Sequence, residues 1–375
     1  MRDLNALDIE YCRSVGGRGS PSEVLLTIWG SKGNTVLQLY NYLARIKMPN
    51  AMHCIRHLVF STMSEGDVIV GLQSTINVKY REVILATDNF SEQNILGKGG
   101  YGIAYRGIWK NFEVAVKRFR SQKKCGSESL GERLRQSLRE LRTLAKYRHD
   151  NILPLYGISL DGEDPCLIYQ YMANGSLEDR LQLKGGSEVL TWQQRKIIAE
   201  GSARGLLFLH TGSDTPIIHG DIKTANILLD RHFEPKLGDF GLCRNGPEGL
   251  EDDNLLIASH VKGTYAYLPP EFTKSKIVST KLDIYSFGVV LLEIASGSKV
   301  YVENRDKPNL LQHVLHLEAE YDDNEDKFIS LIIDKNCPGD DGLLKFICSL
   351  TLLFYFLLRL VLVWKFNLCF IVSSK

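Results

Sequence analysis

The period of the hydrophobic positions changes along this chain, and the changes mark its domains. Up to about residue 60 apolar residues recur at helical spacing. Glu23 to Trp29 is one such run, and Gly30 and Gly33 interrupt it. Val36, Leu39, Tyr40 and Leu43 form a second run, and Met52, Ile55, Leu58 and Val59 a third. Three short amphipathic helices predict a small bundle that buries one face. Residues 61–79 mix Ser, Thr, Gly and Asp with weak periodicity and read as a linker. From Tyr80 the pattern turns to strands, up to about residue 118. A long helix is predicted over 130–148, with Leu134, Leu138, Leu141 and Ala145 at i, i+4, i+7 and i+11. Strands return near 152–158 and 166–171, and helix predominates after 176. Strands first and helices later is an α+β order, here behind an all-α extension. The expected organisation is a bundle over 1–60, a linker over 61–79, a large domain over 80–336 and a separate tail over 337–375.

That tail is the least ordinary part of the pattern. Phe346 to Trp364 is 19 residues carrying one charge, Arg359. Such a run is long enough to cross a bilayer. A central Arg costs about 3 kcal/mol against roughly −6 kcal/mol from the Leu, Ile, Phe and Val residues, and Arg359 lies near one end, where it can snorkel. Two readings stand, a membrane anchor or an aberrant reading frame, with the second favoured.

Composition narrows the class. The chain has 375 residues, 44% hydrophobic and 24% charged, and 45 Lys plus Arg against 44 Asp plus Glu leave a net charge of +1. No bulk attraction to nucleic acid or to an acidic membrane surface follows from such a balance. None of the eight Cys forms a C-x-x-C pair, and no Cys/His cluster has zinc-ligand spacing, so reduced thiols are expected. The start, MRDLNALDIEY, lacks the apolar region of a signal peptide, and Arg2 stands where a myristoylation site needs glycine.

The candidate chemistry lies between 97 and 283. Gly97, Gly99 and Gly102 form G-x-G-x-x-G, which alone is weak evidence because a dinucleotide-binding turn shares it. Here another strand follows rather than a helix. A glycine turn between two strands can fold over phosphates with its N–H groups facing the anion, and glycine allows close approach and φ > 0. Val114-Ala115-Val116-Lys117 comes next. Alternation puts Ala115 and Lys117 on one face, so the small Ala115 leaves room for an adenine ring and Lys117 can reach the α/β-phosphates. A lone Lys on a strand is ordinarily a surface residue; the glycine flap before it favours the functional reading. Glu140 is the plausible inward carboxylate partner of Lys117 on the long helix, and its basic neighbours read as a solvated face.

His219-Gly220-Asp221-Ile222-Lys223-Thr224-Ala225-Asn226 matches H-x-D-x-K-x-x-N and is the strongest signal. Asp221 can accept a hydroxyl proton, Lys223 can offset charge on a transferring phosphoryl group, and Asn226 can hold Mg²⁺. Asp239-Phe240-Gly241 follows 18 residues after Asp221, with Asp239 as a second Mg²⁺ ligand.

With Glu271 and Asp283 in order behind them, these residues resemble the protein kinase family over 80 to about 336, a two-lobed fold using ATP and Mg²⁺. ATDNFSEQNILGKGGYG, RHDNILPLYG, YMANGSLEDRL, LTWQQR and TPIIHGDIKTANILLD are similar to the Pelle and interleukin-1-receptor-associated kinases. The resemblance implies a serine/threonine kinase with Tyr169 as gatekeeper beside the adenine pocket and Gln170, Tyr171 and Met172 as hinge. The segment from Glu23 to Val59 resembles the later helices of a death domain. A helical extension of no particular family is the alternative. The family then implies death-domain adaptor partners, protein substrates, and a cytoplasmic protein recruited to a Toll or interleukin-1-receptor complex at the plasma membrane in innate immune signalling.

Three departures bear on this. Gly220 stands where many kinases have Arg, so activation is expected to depend less on one loop phosphate; Ser259 is the expected phosphosite and Thr264 the structural Thr near the catalytic Asp. Ala104 replaces the usual Val over adenine, a loss on the order of 1–2 kcal/mol of apolar contact. The family pattern stops after Asn336, and no Arg partner for Glu271 is identifiable. The alternative to an active kinase is therefore a catalytically impaired scaffold acting through death-domain contacts.

Overall fold

The structure is a computed structural model. It describes residues 76–337 except 100–101, 120–126, 163, 247–255, 258–263, 271, 273–276 and 322. The expected bundle over 1–60 and the tail over 338–375 lie outside the described residues, as do Ser259 and Glu271. No described helix is long and apolar enough to cross a membrane. The chain divides into two compact units. The first comprises the residues up to Phe112, Val116–Arg135 and Tyr156–Ile168; the second comprises Glu113–Ala115, Gln136–Leu155 and the residues from Tyr169 on.

A six-stranded sheet dominates the first unit. Its strands are β1 (Ile76–Asn77), β2 (Ile95–Gly99), β3 (Gly102–Trp109), β4 (Phe112–Arg118), β5 (Leu155–Ser159) and β6 (Cys166–Gln170), in the order β1-β5-β6-β4-β3-β2. β4 follows the expected alternation: Val114 and Val116 are buried, while Ala115 and Lys117 on the other face are half-buried. β1 corrects the sequence reading. Ile76 and Asn77, placed in the linker, pair in parallel with Gly157 and Ile158 of β5, and Val78 N–H donates to Ile158 O. Two residues are too few to show a period, so only tertiary pairing reveals the strand.

The helix α1 (Tyr80–Ala86) packs against β3 and is fastened by its ends. Tyr80 N–H donates to Asp161 Oδ1 at 2.9 Å. After the helix, Asp88, Asn89 and Phe90 all have positive φ. Thr87 holds this left-handed turn: its Oγ1 accepts from Phe90 N–H and its carbonyl from Ser91 N–H. The turn puts the Phe90 ring 5.3 Å from Tyr105 edge-on, with the Arg118 guanidinium 4.1 Å over its face; Arg118 also pairs with Asp164 at 2.9 Å.

Helices predominate in the second unit, as expected after 176. α2 (Ser127–Lys146), of which only the residues from Gln136 on belong to this unit, starts three residues before its predicted limit, and its described apolar stripe is Leu138, Leu141 and Leu144, all buried, rather than the expected Ala145, which is half-buried. α3 (Leu177–Leu181) is capped by Ser176, and α4 (Trp192–Thr211) by a reciprocal Thr191–Gln194 capping box. Short ladders join β7 (Ile217–Ile218) with β10 (Arg244–Asn245), β8 (Ile227–Leu229) with β9 (Pro235–Leu237), and β11 (Leu256–Ile257) with β12 (Ile277–Val278). α5 (Thr280–Ser296) runs through the middle of this unit, with twelve of its 17 residues buried. It is therefore apolar nearly all round, as a core helix must be. Trp192, Leu292, Leu310, Val314, Phe328 and Cys337 build one core from α4, α5, α6 (Leu310–Glu320), α7 (Glu325–Ile332) and the turn after α7.

Candidate active site

The segment between β7 and β8 carries Asp221, and its shape comes from backbone groups tied to one buried carboxylate. Asp283, in the first turn of α5 and fully buried, accepts from His219 N–H at 2.7 Å, Gly220 N–H at 2.8 Å and His210 Nε2 at 2.9 Å. Three donors on one carboxylate is how a buried charge is tolerated. His219, also fully buried, accepts from Asp221 N–H on Nδ1 and reaches Gly238 O with Nε2 at 3.1 Å, so the tautomer with hydrogen on Nε2 satisfies both. The imidazole thus joins the Asp221 loop to the segment that carries Asp239. Gly220 lies between them at φ +78°, a conformation that L side chains rarely adopt and glycine adopts freely.

Around Asp221 the expected residues come together. Lys223 Nζ is 2.8 Å from Asp221 Oδ2 and 2.9 Å from Thr264 Oγ1. Thr264 donates to Asp221 Oδ1 from N–H at 3.2 Å and from Oγ1 at 3.3 Å, the structural role expected of it. Asn226 Nδ2 donates to Asp221 O at 2.8 Å and to Oδ2 at 3.0 Å. Both carboxylate oxygens are therefore fixed in direction, which is the orienting requirement of a general base.

A divalent cation fits this donor set. Asn226 spends its amide nitrogen on Asp221, which leaves its oxygen as the atom able to meet a cation. Gly238 N–H donates to Asn226 O at 2.9 Å and so holds Asp239 beside it. Asp239 takes φ +59°, unusual for a residue with a side chain. A carboxylate and an amide oxygen are hard ligands of the kind that Mg²⁺ prefers when phosphates and water complete its shell. No group of three or more His, Cys, Asp or Glu suited to a metal occurs among the described residues, so these two would share the ion with a ligand that brings its own oxygens.

Glu140, 1% exposed on α2, belongs to the same unit as Asp239 and Tyr169, whereas Lys117 belongs to the first unit. Tyr169 is buried without a hydroxyl partner at ordinary hydrogen-bond geometry. Burial first, then the carboxylates of Glu140 and Asp239, push its phenol well above its usual range. Met172 is buried two residues beyond β6. Cys243 is raised as well, by burial first and then by Asp283, Glu140 and Asp239, which leaves an unreactive thiol.

In the first unit Gly97 pairs with Ala104 and Gly99 with Gly102 across β2 and β3. None of these three glycines has positive φ, which corrects that part of the sequence expectation. Their reasons differ. A Cβ on Gly102 would collide with the carbonyl of Arg118, so Gly102 serves the packing of the sheet. A Cβ on Gly97 would meet nothing within 4 Å. Lys117 Nζ is 5.3 Å from the Phe119 ring centre.

Sequence reasoning missed His210, Thr224 and Tyr267. The first holds Asp283; the other two hydrogen-bond to each other beneath Asp221, Thr224 Oγ1 to Tyr267 Oη at 3.1 Å.

The protein kinase domain model matches residues 90–350. The chain belongs to the protein kinase family. Within that family it is a Pelle-like serine/threonine kinase by its relatives. It is 45% identical over 372 residues to the Pelle-like serine/threonine-protein kinase pik-1 of Caenorhabditis elegans, covering 84% of this chain and 77% of that protein. It is 49% identical over 248 residues to serine/threonine-protein kinase pelle of Drosophila melanogaster, covering 64% of this chain and 49% of pelle, so it spans about half the length of the fly protein. A receptor-like protein kinase of Arabidopsis thaliana is 38% identical over 261 residues, 68% of this chain and 28% of that protein.

Proposed function

We propose that this chain transfers the γ-phosphate of ATP directly to Ser or Thr hydroxyls of protein substrates. The observation that carries the reading is the carboxylate of Asp221, held on both oxygens by Lys223, Asn226 and Thr264. Asp221 orients the substrate hydroxyl and takes its proton, and the Lys223 ammonium offsets charge in the same place. Asn226 and Asp239 would hold Mg²⁺, which when bound neutralises phosphate charge. Gly97, Gly99, Gly102, Ala115 and Lys117 would receive the nucleotide, with Glu140 fixing Lys117, and Tyr169 and Met172 bordering the base. The unfilled space at Gly97 suits a close approach by phosphate.

The test is transfer from labelled ATP to a generic basic protein and to the chain itself, with Asp221→Asn beside it. A loss of at least a hundredfold in the variant, at unchanged thermal midpoint, supports the reading. Equal transfer in the two overturns it. Soluble, ATP-binding protein with no transfer favours the scaffold alternative.

The finer reading places this activity in Toll or interleukin-1-receptor-type innate immune signalling. Residues 1–60 would engage death-domain adaptor proteins, which would bring a cytoplasmic kinase to the plasma membrane. Its support is the likeness of Glu23–Val59 to death-domain helices and the Pelle relationship of the kinase region. Co-precipitation of a death-domain adaptor by the full chain, lost when residues 1–60 are deleted, is the expected result.

A further inference from the structure

The segment from Ile76 to Phe90 lies along a track in the first unit that is kept free of side chains. Three glycines of the sheet and its turns make the clearance. A Cβ on Gly157 would stand 2.8 Å from Val78 Cγ2 and 2.9 Å from Ile76 O. One on Gly107 would stand 2.8 Å from Ala86 O, and one on Gly162 would run into the Tyr80 ring. None of the three has positive φ, so each serves the close passage of the segment and not a special backbone shape. Val78, Val83 and Thr87 are buried along the track. Val78 N–H donates to Ile158 O at 2.7 Å, Tyr80 N–H to Asp161 Oδ1 at 2.9 Å and Trp109 Nε1–H to Glu82 Oε2 at 3.1 Å. The protein kinase match begins only at residue 90, so nearly all of this segment precedes it. Its last residue reaches toward the residues expected to receive the nucleotide. The Phe90 ring lies 4.1 Å from the Arg118 guanidinium, which Asp164 also holds, and Arg118 O fills the place that a Cβ on Gly102 would take. Lys117 is the neighbour of Arg118 on β4.

We propose that residues 76–90 are a strap whose docking on the glycine track sets the affinity of the first unit for nucleotide, acting through Phe90 and Arg118 on Gly102 and Lys117. The inference rests on the kinase reading above. The strap is built to be either docked or free. Its ladder is two residues long and its helix seven, and a helix that short does not hold without the surface it packs on. Few contacts at an edge place it among the elements that open before the whole domain unfolds. When docked, it puts an aromatic face under the Arg118 guanidinium, which fixes the end of β4 against Gly102. When free, Arg118 keeps Asp164 alone, and the glycine turn loses that support. Phe90 and Tyr80 are positioning residues, since they act on the nucleotide through Arg118. Coupling of this kind is reciprocal: if a docked strap tightens nucleotide binding, bound nucleotide must hold the strap down by the same factor.

The test uses the full chain and Mg-ADP, with Kd from titration and amide hydrogen exchange followed at Val78 and Thr87. Gly162→Ala displaces Tyr80 at the end of the strap away from Gly102, and Phe90→Leu removes the ring under Arg118 while keeping an apolar side chain. In the parent, saturating Mg-ADP is expected to slow exchange at Val78 and Thr87 by about fivefold or more. Each variant should raise Kd by about fivefold, with kcat at saturating Mg-ATP within about twofold of the parent and no further rise in the double variant. The slowing by Mg-ADP should vanish in Phe90→Leu. Strap exchange in the parent that ignores Mg-ADP overturns the proposal even if both variants fail to fold. So does a parent Kd in Gly162→Ala when its strap exchanges faster. A parent that binds no Mg-ADP at all would instead overturn the kinase reading and take the inference with it.

Discussion

Two glycines a few residues apart in one motif obey different constraints, and the difference can be measured. Gly102 has no room for a side chain because Arg118 O occupies the place of its Cβ. Gly102→Ala is expected to cost about 1–3 kcal/mol, the usual range for overpacking a rigid site. Gly97 has open space on that side, so Gly97→Ala is expected to stay within about 0.5 kcal/mol of the parent. Its effect should fall instead on KM for ATP, several-fold upward. Urea unfolding and nucleotide titration of the two variants separate the roles; a Gly97→Ala protein as destabilised as Gly102→Ala would contradict the assignment. The sequence shows both residues as one motif because phosphate approach and sheet packing demand the same residue type. Asp221, Lys223 and Asn226 were legible for a similar reason. They lie within six residues, and their chemistry needs those side chains at that spacing. Thr224 sits among them and was not legible, because its partner Tyr267 is 43 residues away.

Between elements, the joint least visible in the sequence is the one that closes the second unit. Arg195, in the first turn of α4 and 1% exposed, donates from Nε to Leu190 O at 3.0 Å, from Nη1 to Ile294 O at 2.6 Å and from Nη2 to Asp334 Oδ2 at 2.5 Å. Its guanidinium also stands 4.7 Å from the centre of the Trp192 ring. One side chain thereby ties the loop before α4, the end of α5 and the turn after α7. Removing it strands the buried Asp334 carboxylate, and breaking a buried pair costs about 3–5 kcal/mol. Arg195→Ala is expected to lower stability by that amount. Arg195→Lys should recover little, since an ammonium cannot span three acceptors in a plane. A double-mutant cycle with Asp334→Ala, followed by urea midpoint, should return a coupling of about 1–3 kcal/mol; additive losses would mean that the two do not interact. A pair 139 residues apart leaves no periodic trace. By contrast β4 was legible because it is buried on one face only, and its alternation survives in the sequence.

At the scale of the whole molecule, Glu293 makes the stability of the fold depend on pH. Its carboxyl is raised from 4.5 to about 7 in the folded protein, chiefly by burial. A group whose pKa is raised by folding favours the folded state most at pH values below its unfolded pKa, where the proton is bound in both states. That contribution is lost as pH rises through the folded value, because ionisation is then easier in the unfolded chain. From the shift, on the order of 2–3 kcal/mol of stability disappears between about pH 4.5 and 7. Other groups titrate over the same range, so the informative quantity is the difference between the parent and Glu293→Gln. The variant should be less stable than the parent at pH 5 by a margin that shrinks or reverses by pH 8, as measured by urea unfolding at each pH. A difference constant with pH would mean that Glu293 is already ionised at pH 5. The same ionised carboxylate is the form that accepts most strongly from the Tyr267 hydroxyl, 2.6 Å away, so the pH at which this hydrogen bond is strongest is not the pH at which Glu293 contributes most to stability. A buried carboxyl with an apolar replacement of similar size would be the more stable choice at neutral pH. Glu293 instead joins α5 to the Thr264–Tyr267 segment through the Tyr267 hydroxyl and to Val300 N–H, and the stability lost on ionisation is the cost of keeping that junction polar.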